Sequence, residues 1–144
     1  MLIGEYLHNL DKKKRISLPS RMRKELGSKV VVTRGLDKCL FVYPVEEWQK
    51  IAEKLSNLPI GQARTRQFVR LMLAGAGEVE IDSLGRILIP DHLKNYAGLR
   101  HKAVITGMFT RAEIWDEEEW QKYRMHVEEN ADELAERLGE LGVY

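Results

Sequence analysis

With one cysteine, Cys39, in 144 residues, the sequence excludes an internal disulfide framework and any CxxC metal or redox pair. Cys39 adjoins the apolar run Leu40-Phe41-Val42, where a thiol behaves as a small buried hydrophobe and not as a nucleophile. Long hydrophobic stretches are missing as well. None approaches the roughly 18 apolar residues needed to span a bilayer, so no membrane role is expected. The amino terminus, MLIGEYLHNLDKKKR, has no charged start followed by an apolar stretch and a small-residue cleavage site, and a cytoplasmic address follows as the expectation.

Catalytic signatures are equally scarce. His8, His92, His101 and His126 show no HExxH spacing and no cysteine companions, so a metal site is not expected. No GxSxG, GxxxxGK[ST] or GxGxxG occurs, and Gly75-Ala76-Gly77 continues wrongly for a dinucleotide loop. The acidic run Glu117-Glu118-Glu119 reads as a helix start, where carboxylates suit the dipole. Neither an enzyme, nor a cofactor, nor a small-molecule substrate is indicated.

What the sequence does hold is an internal repeat. At an offset of 71, Asp11, Arg15, Ile16, Pro19 and Gly27 fall on Asp82, Arg86, Ile87, Pro90 and Gly98. At an offset of 72, Val32, Gly35 and Glu46-Glu47-Trp48-Gln49-Lys50 fall on Val104, Gly107 and Glu118-Glu119-Trp120-Gln121-Lys122. The chain is two copies of one unit.

Each unit reads as strand, tight loop, strand, a short helix and a hairpin. In the first, Gly4 to Leu10 and Arg15 to Leu18 flank a Lys-rich loop. Pro19 then opens a helix that Gly27 ends, and Lys29 to Thr33 and Lys38 to Tyr43 pair through Gly35-Leu36-Asp37, where positive φ is wanted at Gly and Asp. The second repeats this with Val79 to Ile81, Arg86 to Ile89, a helix from Pro90 to Tyr96, and strands Ala103 to Thr106 and Ala112 to Trp115. One unit of roughly 40 residues buries too little apolar surface to stand alone. Two copies can close a small barrel about a pseudo-two-fold axis, which places both Asp-x-x-x-Arg loops on one face.

Helical stripes follow each unit: Val45, Trp48, Ile51, Ala52 and Leu55; a helix holding Phe68, Val69, Leu71 and Met72; and Trp120 through Leu138 within one helical segment from Asp116 to Leu141. They are expected to pack on the barrel or on a neighbouring subunit. The fold class is α+β with a mainly β core. One compact domain comprises a first unit with helix (1–60), a helix and linker (61–77) and a second unit with a C-terminal amphipathic helix (78–144).

Charge is unevenly distributed. Residues 1–72 carry 15 Lys/Arg against 7 Asp/Glu, net +8, and residues 73–144 carry 8 against 15, net −7. This asymmetry points to an anionic partner for the first half or to head-to-tail association of subunits. Lys12, Lys13, Lys14, Arg15, Arg21, Arg23 and Lys24 crowd one loop and one helix start, the footprint of a polyanion-binding surface. Asp11 and Asp82 can accept from loop amides and pair with the arginine, and Arg15 and Arg86 can present planar forks to phosphate or to guanine. The second loop, Ser83-Leu84-Gly85, lacks lysines and has Glu78, Glu80 and Asp91 close in sequence, so less in the sequence points to a contact there than in the first.

The stretch "VEIDSLGRILIPDHLKNYAGL" resembles the swapped-hairpin barrel of AbrB-like DNA-binding proteins. Two such units, with "DKKKR" and "DSLGR", "TRGLDKCLFVYPVEEW" and "EIWDEEEW", resemble the MraZ family of bacterial transcriptional regulators over nearly the whole chain. The resemblance implies a nucleoid-associated repressor of the promoter of a division and cell-wall gene cluster. It also implies a ring-shaped homo-oligomer, octamer or dodecamer, on repeated boxes of double-stranded DNA, with Asp11, Arg15, Asp82 and Arg86 as the carried-over residues. Lys14 stands where the second loop has Gly85. Two other readings share the pattern: an antitoxin-type autoregulator of the same fold, and a ring scaffold that does not bind DNA.

Overall fold

A computed structural model of the chain describes residues 1–143; Tyr144, the last residue of the second unit, lies outside the described residues. The elements in chain order are β1 (Glu5–Asn9), β2 (Arg15–Ser17), α1 (Ser20–Leu26), β3 (Lys29–Arg34), β4 (Leu40–Pro44), α2 (Val45–Ser56) and α3 (Ala63–Gly75). There follow β5 (Gly77–Glu80), β6 (Arg86–Leu88), α4 (Asp91–Tyr96), β7 (Lys102–Gly107), β8 (Ala112–Asp116), α5 (Glu117–Glu129) and α6 (Ala131–Glu140). Six strands form one antiparallel sheet in the order β1-β7-β8-β4-β3-β5, and β2 and β6 form a separate two-stranded ribbon. Each unit lends its first strand to the other: β1 pairs with β7, and β5 with β3.

Exchange of the units reverses this strand order onto itself, which is the signature of a pseudo-two-fold axis. The axis runs through two pairs of repeat-equivalent residues, Ile16 opposite Ile87 in the ribbon and Phe41 opposite Glu113 between β4 and β8. Between sheet and ribbon lies the aliphatic core, with Ile16, Leu18, Met22, Val30 and Val32 meeting their second-unit counterparts Ile87, Ile89, Leu93, Ala103 and Ile105. Odd and even residues of the central strands point to opposite faces. The outer face of β4 and β8 therefore buries Phe41, Tyr43 and Trp115 against α2, α3 and α5, with Trp48 and Trp120 packed over them. Both faces being covered explains why β4 reads as an unbroken apolar run, LFVYP. Cys39 is fully buried there, its Sγ 3.2 Å from the Leu36 carbonyl, and burial followed by the charge of Glu113 pushes its thiol far above the ordinary range.

Strand pairing corrects the alignment of the repeat. Val32 pairs with Val42, and its counterpart in the second hairpin is Ile105, which pairs with Ile114. Val32 therefore corresponds to Ile105 and not to Val104, and Arg34, not Gly35, corresponds to Gly107. Two extra residues follow Gly98, and a hairpin loop shorter by one residue restores the offset of 72. In the first hairpin loop positive φ falls on Asp37, as expected, and on Lys38, at 62° and 61°, but not on Gly35, which is instead required for space: a Cβ there would stand 2.7 Å from the Phe41 ring and 2.8 Å from the Cys39 carbonyl oxygen.

The single helical segment expected from Asp116 to Leu141 is two helices broken at Asn130, which has φ −108° and ψ 14°. Asp116 caps α5 by accepting from the Glu119 amide, and Glu117, Glu118 and Glu119 fill the first turn as anticipated. The Arg100 guanidinium, one of the two extra residues after Gly98, bridges Asp116 and Glu118 and ties that helix start to the sheet. By contrast, α6 buries none of its residues in the single chain. No helix among the described residues is long and apolar enough to cross a membrane.

Candidate nucleic-acid interface

Both Asp-x-x-x-Arg segments fold into the same turn. In the first, the Lys14 amide donates to the Asp11 carbonyl at 3.0 Å and the Asp11 amide to the Arg15 carbonyl at 2.9 Å. In the second, Gly85 donates to Asp82 and Asp82 to Arg86, each at 2.9 Å. The side chains repeat the match. Asp11 Oδ1 accepts from the amides of Lys13 (2.8 Å) and Arg15 (2.9 Å) while Oδ2 accepts from Arg15 Nε (2.9 Å). Asp82 Oδ1 accepts from Leu84 (3.0 Å) and Arg86 (2.8 Å), and Oδ2 from Arg86 Nε (2.8 Å).

These donors stabilise the ionised carboxylates. The backbone amide of Arg15, then its side chain and the Lys13 amide, hold Asp11 below the usual carboxylate range, and Asp82 is lowered in the same way by Arg86 and Leu84. Because each arginine spends Nε on its aspartate, the outer nitrogens of the guanidinium remain to meet a ligand. The departure at position 14 does not change the turn: Lys14 adopts φ 62° and Gly85 φ 79°, both left-handed.

The ribbon brings the two loops to one face and straps each to the other unit. The Lys14 carbonyl accepts from the Ile89 amide and the Gly85 carbonyl from the Leu18 amide, both at 2.9 Å. On the ribbon's outer side, Arg15 lies opposite Leu88 and Ser17 opposite Arg86, while Ile16 and Ile87 point into the core. Lys12 and Lys13 are exposed at the first loop's tip and, with Lys14, line a shallow depression whose other wall is Leu88 to Asp91. Arg21 is exposed on α1, with no recorded hydrogen bond to either loop.

Crossing of the ribbon reassigns the charges near each loop. Asp91, close in sequence to the second loop, forms its ion pair with Lys14 of the first, which lowers the Asp91 pKa. Glu78 pairs with Lys29 at 3.2 Å, on β5 and β3. The second loop, which lacks lysines, is served instead by Arg23 of the first unit. Its Nε donates to the Leu18 carbonyl at 2.9 Å, and its guanidinium covers Gly85 so closely that a Cβ there would fall 2.1 Å from Arg23 Cζ. Burial and the charge of Arg23 lower the pKa of the neighbouring His8. Nothing local in the sequence links Arg23 to Gly85, 62 residues away; the contact exists only because the units interleave. Among the described residues no group of three His, Cys, Asp or Glu is placed to hold a metal ion.

Comparison with known proteins covers almost the whole chain. A family model described as "MraZ protein, putative antitoxin-like" matches twice, over residues 1–71 and 72–140. Proteins named transcriptional regulator MraZ are similar throughout. That of Desulforamulus reducens is 46% identical over 141 residues, 98% of this chain and 99% of the relative. That of Syntrophomonas wolfei is 45% identical, and that of Halothermothrix orenii 48% identical, each over 143 residues, 99% of this chain and 100% of the relative.

Proposed function

Since this chain belongs to the MraZ family, whose members are named as transcriptional regulators and not as enzymes, we propose that it is a sequence-specific, DNA-binding repressor. On this reading it occupies the nucleoid in the cytoplasm and acts on the promoter of a division and cell-wall gene cluster. The observation that carries the reading is the pair of matching Asp–Arg turns strapped side by side across the pseudo-two-fold axis. Asp11 and Asp82 hold the loops in shape, Arg15 and Arg86 meet bases or phosphates, and Lys12, Lys13, Lys14 and Arg21 supply phosphate contacts. Arg23 joins them at the second loop.

A ring of subunits, octamer or dodecamer, on repeated boxes completes the reading. A few phosphate contacts per subunit bind weakly at physiological salt, and several subunits on adjacent repeats multiply affinity through effective concentration. Two features support association. Leu134, Leu138 and Leu141 stand exposed on or just beyond the acidic α6, and α3 offers Arg64, Arg66 and Arg70 on a helix whose Phe68 is also exposed. Opposite charges on apolar surfaces of two different helices favour a head-to-tail contact, which closes into a ring or runs on as a filament.

The test is fluorescence anisotropy on the duplex upstream of the protein's own gene against a scrambled duplex, over a salt series, with Arg15→Ala alongside. Preference for the upstream duplex that falls with salt, and a loss of about five-fold or more in Arg15→Ala, is expected from removal of a base- or phosphate-contacting arginine, worth about 1–3 kcal/mol. Equal, weak binding unaffected by the substitution overturns the reading in favour of a scaffold. The family's antitoxin-like description favours a second reading, an autoregulator that also neutralises a toxin. It requires co-purification of a stoichiometric partner bound through α5 and α6.

A further inference from the structure

The two loops share a backbone but not a tip. Lys12, Lys13 and Lys14 of the first correspond to Ser83, Leu84 and Gly85 of the second, so that an ammonium at position 13 is matched by an isobutyl group at position 84. Leu84 is 63% exposed and takes no part in either core cluster. It is nonetheless held in place, because its amide donates to Asp82 Oδ1 in the same turn that positions Arg86. Two arginines lie at the same turn, Arg86 held by Asp82 and Arg23 over Gly85. The ribbon repeats the exchange: Ser17 corresponds to Leu88, which is 54% exposed directly opposite Arg15.

A lysine tip suits phosphate and carries no sequence information. A leucine tip cannot pair with phosphate, but it fits the one apolar group that the major groove displays, the C5 methyl of thymine. We infer that Leu84 reads a thymine methyl next to the base edge that Arg86 reads, so that the first loop grips the backbone and the second discriminates sequence. This inference rests on the DNA-binding reading above and assigns unequal work to the two halves of one subunit.

Deoxyuridine tests it, since it differs from thymidine only by that methyl. The full-length protein would first enrich a preferred duplex from a random-sequence library, and each thymine of that duplex would then be replaced singly. At one or two positions, deoxyuridine should weaken the wild type by about four-fold, the worth of burying one methyl-sized group. Leu84→Ala should be indifferent at those positions, and Leu84→Met should respond as the wild type does. Lys13→Ala should lower affinity and flatten the salt dependence yet keep the deoxyuridine response. The inference is overturned if no replacement affects the wild type, or if Leu84→Ala responds as strongly as the wild type. Enrichment of no sequence at all would instead remove the DNA-binding reading, and this inference with it.

Discussion

Lys14 holds in the first loop, at φ 62°, the place that Gly85 holds in the second at φ 79°. The turn hydrogen bonds around both are the same to within 0.1 Å, 3.0 and 2.9 Å for the amide of residue 14 or 85 and 2.9 Å for that of Asp11 or Asp82. The first loop therefore carries a side chain in a backbone region that disfavours one, and the Lys14–Asp91 ion pair accompanies it.

Lys14→Gly should raise thermodynamic stability by roughly 0.5–1 kcal/mol in urea titrations, because relief of left-handed strain outweighs the greater freedom of the unfolded chain. In DNA titrations the same variant should lower the salt slope by about one contact. Gly85→Ala acts in the opposite direction, adding strain and displacing Arg23, and should cost about 1 kcal/mol or more.

Acid should weaken both loops. Asp11 and Asp82 have depressed pKa values in the folded state, so their contribution is present above the unfolded carboxylate pKa and is lost as pH falls through the folded one. The urea midpoint of the wild type should decline below about pH 4. A doubly substituted Asp11→Asn, Asp82→Asn protein should start lower at neutral pH and decline less steeply over that range.

Thr33 and Thr106 occupy matching places in β3 and β7, yet differ in their bonding. The Thr33 hydroxyl donates to the Met72 carbonyl of α3 at 2.6 Å, whereas the buried Thr106 hydroxyl has no partner among the described residues. Thr33→Val should cost about 1–2 kcal/mol through a lost bond and an unsatisfied carbonyl, and Thr106→Val should be neutral or stabilising. Chemical denaturation of the two variants side by side distinguishes these outcomes.

Association of subunits should respond to both charge and apolar contact at α6. Leu134→Glu with Leu138→Glu should leave the fold intact, since neither residue is buried in the single chain, while shifting sedimentation toward smaller species. High salt should shift the wild type in the same direction. An oligomer that survives high salt while DNA binding is lost would remove the role given to the opposite charges of the two halves.

Most of the fold was legible because it is written twice. Asp11 to Gly27 and Asp82 to Gly98 agree in their loops, prolines and helix ends, and short strands that cannot stand alone require a shared core. The repeat offset at Val32 is ambiguous in the sequence because valine and isoleucine are interchangeable in a strand buried on both faces, and only pairing with Val42 or Ile114 fixes the register. The break at Asn130 was hidden because the apolar spacing continues across it. At the candidate site, the pairing of Asp11 with Arg15 and of Asp82 with Arg86 is legible in their spacing. Arg23 over Gly85, and Asp91 at Lys14, depend on which unit crosses which, and no local pattern encodes that.

The axis through Ile16 and Ile87 has a further consequence for the target. A dimer of identical chains presents identical loops and so favours a palindrome, as two-fold DNA readers do. Here the halves are joined in one chain, with only Ala76 between α3 and β5, and need not be identical. Lys13 does not match Leu84, nor Ser17 Leu88. If each subunit reads DNA as proposed, its site has a direction. Successive subunits facing the same way along a duplex would then call for direct repeats, and inverting one repeat should cost more than moving it.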